Sequence, residues 1–274
     1  MNAVVNANGN ADRNQVPEAI REALGVYADR MAVDIYDTLD STNNLAKSRA
    51  DETAPALYIA RTQTAGRGRL GRSFHSPAHT GLYMTVAYTT SQPLGEAVRV
   101  TALASVAAVG AIEALTHKRP AIKWVNDIYL DHCKIGGILT EAVTLPDGGN
   151  RMIVGLGINL TTTEFPEGLR APASCLFTPS EAHMASTAFA DRLAGEITRR
   201  LLEAVDGITS PAACLQTYRE HLCYVGETVL CTRGSESFEG VILGVDDGYS
   251  LLVSVGGETL TLSSGEISVR PVVR

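Results

Sequence analysis

The sequence predicts an α+β main domain with a small antiparallel barrel appended at its C-terminal end. Three observations predict this. Strand-like apolar runs are followed by helices without the strict alternation of a doubly wound sheet. Pro146-Asp147-Gly148-Gly149 is a strong turn signal between two apolar runs and predicts a hairpin. From Val225 onward, short apolar runs punctuated by glycine-containing turns replace the longer elements, as in a small barrel.

In chain order, the first fifteen residues are rich in Asn and lack an apolar core, so they read as neither signal peptide nor membrane anchor. Val16, Ile20 and Leu24 share a helical face, and Pro17 suits a first turn. Ala32–Tyr36 reads as a strand. Ser41, Thr42 and Asn43 carry groups suited to capping a helix over Asn44–Ala50. Strands follow at Leu57–Thr62 and Gly81–Thr89, the latter alternating Leu82, Met84 and Val86 with more polar positions. Val98–Leu115 is long and apolar, but Thr101, Ser105 and Glu113 interrupt it, which predicts a buried helix rather than a membrane span. Strands are expected at Ala121–Trp124, Ile135–Leu145 and Met152–Gly157, and helices at Ala185–Val205 and Ala212–Tyr224. The barrel strands are Val229–Cys231, Val241–Val245, Leu251–Val255, Leu260–Leu262 and Ile267–Val269. The expected division is a flexible segment with a short helix (1–30), a catalytic domain (31–224) and the barrel (225–274).

The 274 residues are 45% hydrophobic and 19% charged, an ordinary globular composition. A net charge of -7 argues against a dedicated nucleic-acid binder, so an anionic ligand requires a local basic cluster. Cys133, Cys175, Cys214, Cys223 and Cys231 are odd in number and show no CxxC spacing. Neither a disulfide framework nor a zinc site is suggested, and reduced thiols in a cytoplasmic protein are expected.

The most informative segment is Gly66-Arg67-Gly68-Arg69-Leu70-Gly71-Arg72-Ser73. Three arginines on a glycine-hinged loop offer many donors to an anion, and their mutual repulsion predicts a loop that orders when the ligand arrives. The segment fits GxGxxG, but Ser73-Phe74-His75-Ser76-Pro77 opens no helix and no acidic residue appears before Glu96 to hold a ribose. It approximates a P-loop with Arg72 in place of the lysine. A solvated basic loop or an RGG-like nucleic-acid contact remains open from this tract alone.

Lys123-Trp124-Val125-Asn126-Asp127 ends a strand where a turn would aim Asn126 and Asp127 outward. Lys134 opens the next strand, and the glycines Gly136 and Gly137 after it suit a close backbone approach to a ligand. Gly155-Leu156-Gly157-Ile158-Asn159 ends the returning strand with another small-residue clearing. Converged on one face, these groups could clamp a polyanion electrostatically. No Ser-His-Asp set, HxxxH pair or partnered cysteine nucleophile is evident.

Ser41 to Asn43, Gln63 to Pro77, Lys123 to Leu130, Lys134 to Glu141 and Val154 to Asn159 resemble, in order and spacing, the motifs of biotin protein ligases. Ser264 to Arg270 is similar to the end of that family's C-terminal SH3-like barrel. The resemblance implies a mixed-sheet catalytic domain of the biotin/lipoate ligase type, with biotin as substrate, ATP and Mg²⁺ as cofactors, and a biotin carboxyl carrier protein as acceptor. It implies that Ser41, Thr42, Asn43 and Gln63 hold the ureido ring, with Gly136 and Gly137 also at the biotin site. Arg67, Gly68 and Arg69 would close over biotin and the adenylate phosphate, and Arg72 would hold nucleotide phosphates. Lys134 would touch both the biotin carboxylate and the α-phosphate. Lys123, Trp124, Asn126 and Asn159 would serve the nucleotide, and Asp127 would support metal binding or orient the acceptor lysine.

Three positions depart from the pattern. Leu70 stands for a commonly basic residue, Val125 for proline and Phe74 for tryptophan. About thirty residues precede the first motif strand, too few for a winged helix, so a cytoplasmic ligase without specific DNA binding is expected, as monomer or homodimer. Lipoate or octanoyl transfer on a related fold, and a non-catalytic sensor of biotin or adenylate, are the competing readings.

Overall fold

The computed structural model describes residues 3–5, 11–12, 16–92, 97–169, 171–233, 235–263 and 267–271. A nine-stranded sheet forms the larger part. Its strands are β1 (Ala3–Val5), β2 (Ala11–Asp12), β3 (Ala32–Leu39), β4 (Ala56–Gln63), β5 (Gly81–Thr90), β6 (Ala121–Lys123), β7 (Asp127–Leu130), β8 (Cys133–Thr144) and β9 (Asn150–Asn159). They lie in the order β2-β1-β3-β4-β5-β9-β8-β7-β6. The β1–β3 and β3–β4 pairs are parallel and the rest antiparallel, so the sheet is mixed. β8 and β9 form the hairpin expected from the Pro146–Gly149 turn. The segment expected to be flexible contributes β1 and β2 to the sheet edge, and the other residues before Val16 lie outside the described residues.

Alternation along the strands divides two cores. Leu57, Ile59, Met84, Val86, Met152 and Val154 face the main core, where α3 (Ala97–Thr116) and α4 (Thr187–Val205) pack and α1 (Glu18–Leu24) covers α4. Tyr58, Ala87 and Ile153 point the other way, toward Ala46 of α2 (Thr42–Ser48). By length and composition α3 could cross a membrane, yet its middle turns are buried against sheet and helix. Its polar residues are satisfied there: Thr101 Oγ1 donates to the Ala97 carbonyl at 2.7 Å and lies 2.8 Å from the Thr140 hydroxyl, and Ser105 Oγ donates to the Val125 carbonyl at 3.1 Å.

Helix boundaries differ from expectation where side chains have other work. α4 starts at Thr187 because the Ser186 hydroxyl caps it, accepting from the Phe189 amide. α5 (Pro211–His221) stops short of Tyr224, since Leu222 is extended and the Cys223 amide donates to the Ile122 carbonyl. α2 begins two residues before the expected Asn44. Ser41 makes no side-chain capping bond to it, and the Thr42 amide is instead taken by Gln63. β7 went unforeseen because its first residue belongs to the Asn-Asp turn.

After α5 come β10 (Thr228–Arg233), β11 (Glu236–Val245), β12 (Leu251–Val255), β13 (Glu258–Leu262) and β14 (Ile267–Pro271). They pair antiparallel in the order β13-β12-β11-β10-β14. The outer strands β13 and β14 are not paired with each other among the described residues. The unit is therefore a small five-stranded antiparallel sheet where a closed barrel was expected. Ser264 to Glu266, the start of the motif placed there, lies outside the described residues. The smaller sheet is tied to the larger part by Tyr218 edge-on to Tyr249 and by Arg219 donating to the Val245 carbonyl.

Candidate active site

A cavity of about 620 Å³ opens beside the ends of β4, β8 and β9, bounded by the arginine loop and the β6–β7 turn. Every site residue expected from the sequence lines it except Gly136. A Cβ at Gly136 would come within 2.7 Å of the Gly157 carbonyl oxygen, so that glycine serves the close approach of β8 to β9.

At one end, short polar side chains form a directed chain of hydrogen bonds. Gln63 Oε1 accepts from the Thr42 amide at 2.9 Å, and its Nε2 donates to Ser76 Oγ at 3.0 Å. Thr85 Oγ1 lies 2.7 Å from Asn43 Oδ1, which can only accept, so the hydroxyl proton belongs there. Thr42 Oγ1, 2.8 Å from the same hydroxyl, must then turn its own proton toward Thr85 or toward Gln63 Oε1 at 3.2 Å. The Asn43 amide nitrogen donates to Glu141 Oε2 at 2.9 Å and to the Leu139 carbonyl at 3.3 Å. Ser41, Thr42 and Asn43 are all buried, so this end is a preformed polar wall. Its floor is bare because Gly155 and Gly157 carry no Cβ. One at Gly155 would lie 2.0 Å from Asn43 Oδ1, and one at Gly157 2.4 Å from the Phe74 ring.

The arginine loop turns back on itself over this floor. Gly68 N donates to the Arg72 carbonyl at 2.7 Å and Phe74 N to the Gly66 carbonyl at 2.8 Å. Leu70 and Gly71 take positive φ at the tip, and Leu70 is 62% exposed. Arg67 Nη1 reaches Asn44 Oδ1 at 2.9 Å, and its Nη2 lies 3.3 Å from Glu141. Arg69 Nη1 donates to Asn126 Oδ1 at 2.8 Å. Burial pulls the Arg69 guanidinium below its ordinary pKa, opposed by Asp127 and reinforced by Arg72. An anion entering here would relieve that crowding.

The opposite wall carries Lys134, whose Nζ sits 2.6 Å from Asp127 Oδ1 with both side chains partly exposed to the cavity. Asn126 is held by donating to the Ile138 carbonyl at 3.0 Å, which leaves its oxygen for Arg69. Lys123 lies over the Tyr129 ring at 5.4 Å, and its Nζ reaches the Tyr129 hydroxyl at 3.3 Å. Trp124 lines the cavity while its indole N–H donates to the Tyr249 carbonyl at 2.8 Å, joining the site to the smaller sheet. Asn159, at the end of β9, donates to the Ser174 carbonyl at 3.0 Å.

Some contributors carried no sequence signal. Phe165, Leu169, Ala171 and Ala173 line the cavity from an irregular segment with no motif of its own. Thr85 looked like one polar position in an alternating strand. Glu141 closes the Lys134 motif seven residues on, yet nothing in the spacing assigns it a partner.

A family model described as the biotin/lipoate A/B protein ligase family matches residues 35–159. The bifunctional ligase/repressor BirA of Bacillus spizizenii is 30% identical over 237 residues, covering 85% of this chain and 72% of the relative. The biotin–[acetyl-CoA-carboxylase] ligase of Paracoccus denitrificans is 30% identical over 224 residues, covering 78% and 90%. A solved structure of the biotin protein ligase from Aquifex aeolicus in complex with biotin and ATP has the same fold. It superposes with a TM-score of 0.68 at 24% identity, covering 88% of this chain and 99% of that one. The chain belongs to the biotin/lipoate A/B protein ligase family, and within it to the biotin protein ligases.

Proposed function

We propose that the protein activates biotin with ATP as biotinyl-5′-AMP and transfers biotin to a lysine of a biotin carboxyl carrier protein. The observation that carries this reading is one cavity joining a preformed polar wall to a cluster of Arg69, Arg72 and Lys134. The first suits a neutral ureido ring and the second suits two anions that must meet.

In the first step a biotin carboxylate oxygen attacks the α-phosphorus and pyrophosphate leaves. The obstacle is repulsion between anions, and Lys134, Arg69 and Arg72 offset it. Each charge-assisted hydrogen bond contributes on the order of 1.5–3 kcal/mol. In the second step the acceptor amine attacks the acyl carbon, an amide forms, and the bond to AMP breaks. A loop closed over the cavity keeps water off the mixed anhydride.

Mg²⁺ fits this donor set as a companion of the phosphates. Asp127 is the one carboxylate among the described residues lining the cavity, and Mg²⁺ is commonly held by one or two carboxylates plus phosphate oxygens. Bound there with Asp127, it would supply further charge neutralisation. The cysteines, odd in number and without CxxC spacing, suit a reducing compartment, and we place the activity in the cytoplasm. We read the smaller sheet, with its five antiparallel strands, as an open counterpart of the SH3-like unit that the resemblance implies.

Biotin-dependent exchange of pyrophosphate into ATP, followed by mass analysis of a carrier domain, tests the function. Exchange that requires lipoate or octanoate instead, or none with any of these acids, would overturn it.

A prediction concerns the arginine loop. Hydrogen exchange across residues 66–72 is expected to be fast in the ligand-free protein and slowed with biotinyl-AMP bound. Equal protection in both states would remove the lid.

We also expect no sequence-selective DNA binding by this chain, whose net charge is -7. Residual association would come from phosphate contacts and fall steeply with salt. The check is a titration with promoter DNA of the host's biotin-synthesis genes at physiological salt. Selective binding that strengthens with biotin plus ATP would contradict the expectation.

A further inference from the structure

Glu141 lies outside the cavity lining, yet it touches three side chains on two elements that build the cavity, α2 and the arginine loop. Its Oε2 accepts from the Asn43 amide at 2.9 Å. Its Oε1 accepts from Lys47 Nζ of α2 at 2.5 Å and lies 3.3 Å from Arg67 Nη2 on the loop. The side chain is 18% exposed. Burial alone would raise the pKa of this carboxyl. The hydrogen bonds from Lys47 and Asn43, with the charges of Lys47 and Arg67, outweigh that and hold it below its ordinary value.

The chemistry of the partners decides what this carboxylate does. Lys47 and Arg67 are donors only, and a carboxylate is an acceptor only. The Asn43 side chain could turn either end toward β8, but two acceptors wait there, Glu141 and the Leu139 carbonyl. The amide nitrogen is therefore fixed on that side, and its oxygen faces Thr85 and the cavity wall. One oxygen lone pair is used by Thr85, which leaves the other for a ligand N–H. The same carboxylate ties the first arginine of the loop to the wall it closes upon.

We propose that Glu141 is a positioning residue: it orients the Asn43 carbonyl toward the urea-like end of the substrate and anchors Arg67 so that loop and wall move as one. It contacts neither substrate nor reacting atoms. The inference rests on the proposed function, because it assigns the urea-like end to the Asn43 wall.

Glu141→Ala and Glu141→Gln separate the two duties. Glutamine keeps the shape and one acceptor oxygen but loses the charge, and its amide nitrogen must face one of three donors. The alanine variant should raise the KM for biotin in pyrophosphate exchange by on the order of tenfold or more, with the KM for ATP changed far less. It should also leave residues 66–68 less protected from hydrogen exchange with biotinyl-AMP bound than in the wild type. Glutamine should recover much of the biotin KM while the loop stays loosened.

A wild-type protein without biotin-dependent exchange would sink the functional reading. An active wild type with an unchanged biotin KM in Glu141→Ala would sink this inference alone. So would an equal loss toward biotin and ATP in both variants with a lowered Tm, because that marks a merely structural residue.

Discussion

Lys134→Ala is expected to slow biotinyl-AMP formation by roughly 10²–10⁴-fold, from two charge-assisted contacts of about 1.5–3 kcal/mol each. Lys134 is the cation paired with Asp127 at 2.6 Å on the cavity wall opposite the arginine loop. In the free protein Asp127 occupies it. In the complex it would exchange that partner for the biotin carboxylate and the α-phosphate, interactions that strengthen as charge moves toward the leaving group. The fold should survive, since the lysine side chain is 31% exposed and exposed ion pairs contribute little to stability. Tm should stay within a few degrees. Asp127→Asn leaves the cation but removes the carboxylate that would hold Mg²⁺, so its loss should depend on Mg²⁺ concentration where that of Lys134→Ala should not. Single-turnover formation of biotinyl-AMP at the wild-type rate in Lys134→Ala would refute the assignment.

How far this site was legible depends on what each residue has to do. Arg67, Arg69 and Arg72 were readable because charge repetition on glycine hinges has few uses other than anion binding. The Lys123–Asp127 and Lys134–Gly137 stretches were readable only as motifs in order, since each alone is ordinary turn or edge chemistry. Ser41, Thr42 and Asn43 were placed at the site, but their local role was misread. Side chains of these types usually cap helices, and here tertiary partners on β4, β5 and β8 claim Thr42 and Asn43 instead. That competition depends on a sheet order, β4-β5-β9-β8, which no local pattern encodes.

The same limit explains the fold. Long periodic segments such as α3 and α4 were foreseen to within a few residues. β7 is four residues long and begins inside a turn, so its pairing with β6 and β8, not its sequence, makes it a strand. Closure of the small C-terminal unit likewise depends on strand pairing, and glycine-punctuated apolar runs fit an open sheet as well as a closed one.

Gly155→Ala is expected to raise the KM for biotin about 10–100-fold and to destabilise the fold by about 1–3 kcal/mol. Gly155 pairs with Thr85 on one side and Leu139 on the other, in the middle of the sheet. A methyl there would sit 2.0 Å from Asn43 Oδ1 and 2.8 Å from its Cγ. A free side chain could swing away at little cost, but this amide is held by Thr85, Glu141 and the Leu139 carbonyl. Moving β9 instead would disturb two ladders at once, so Asn43 is the group that yields. Its carbonyl then leaves the wall on which the urea-like end of biotin would rest. Gly137→Ala is the comparison, since the nearest atom there is the flexible Lys134 Nζ at 3.3 Å, and its effect should fall mainly on kcat. Measuring both KM values, kcat and Tm for the two variants tests the distinction. A Gly155→Ala enzyme with the wild-type KM for biotin would mean that Asn43 does not meet the substrate. Because Gly155 and Glu141 act through the same amide, combining Gly155→Ala with Glu141→Ala should cost less than the two losses added together.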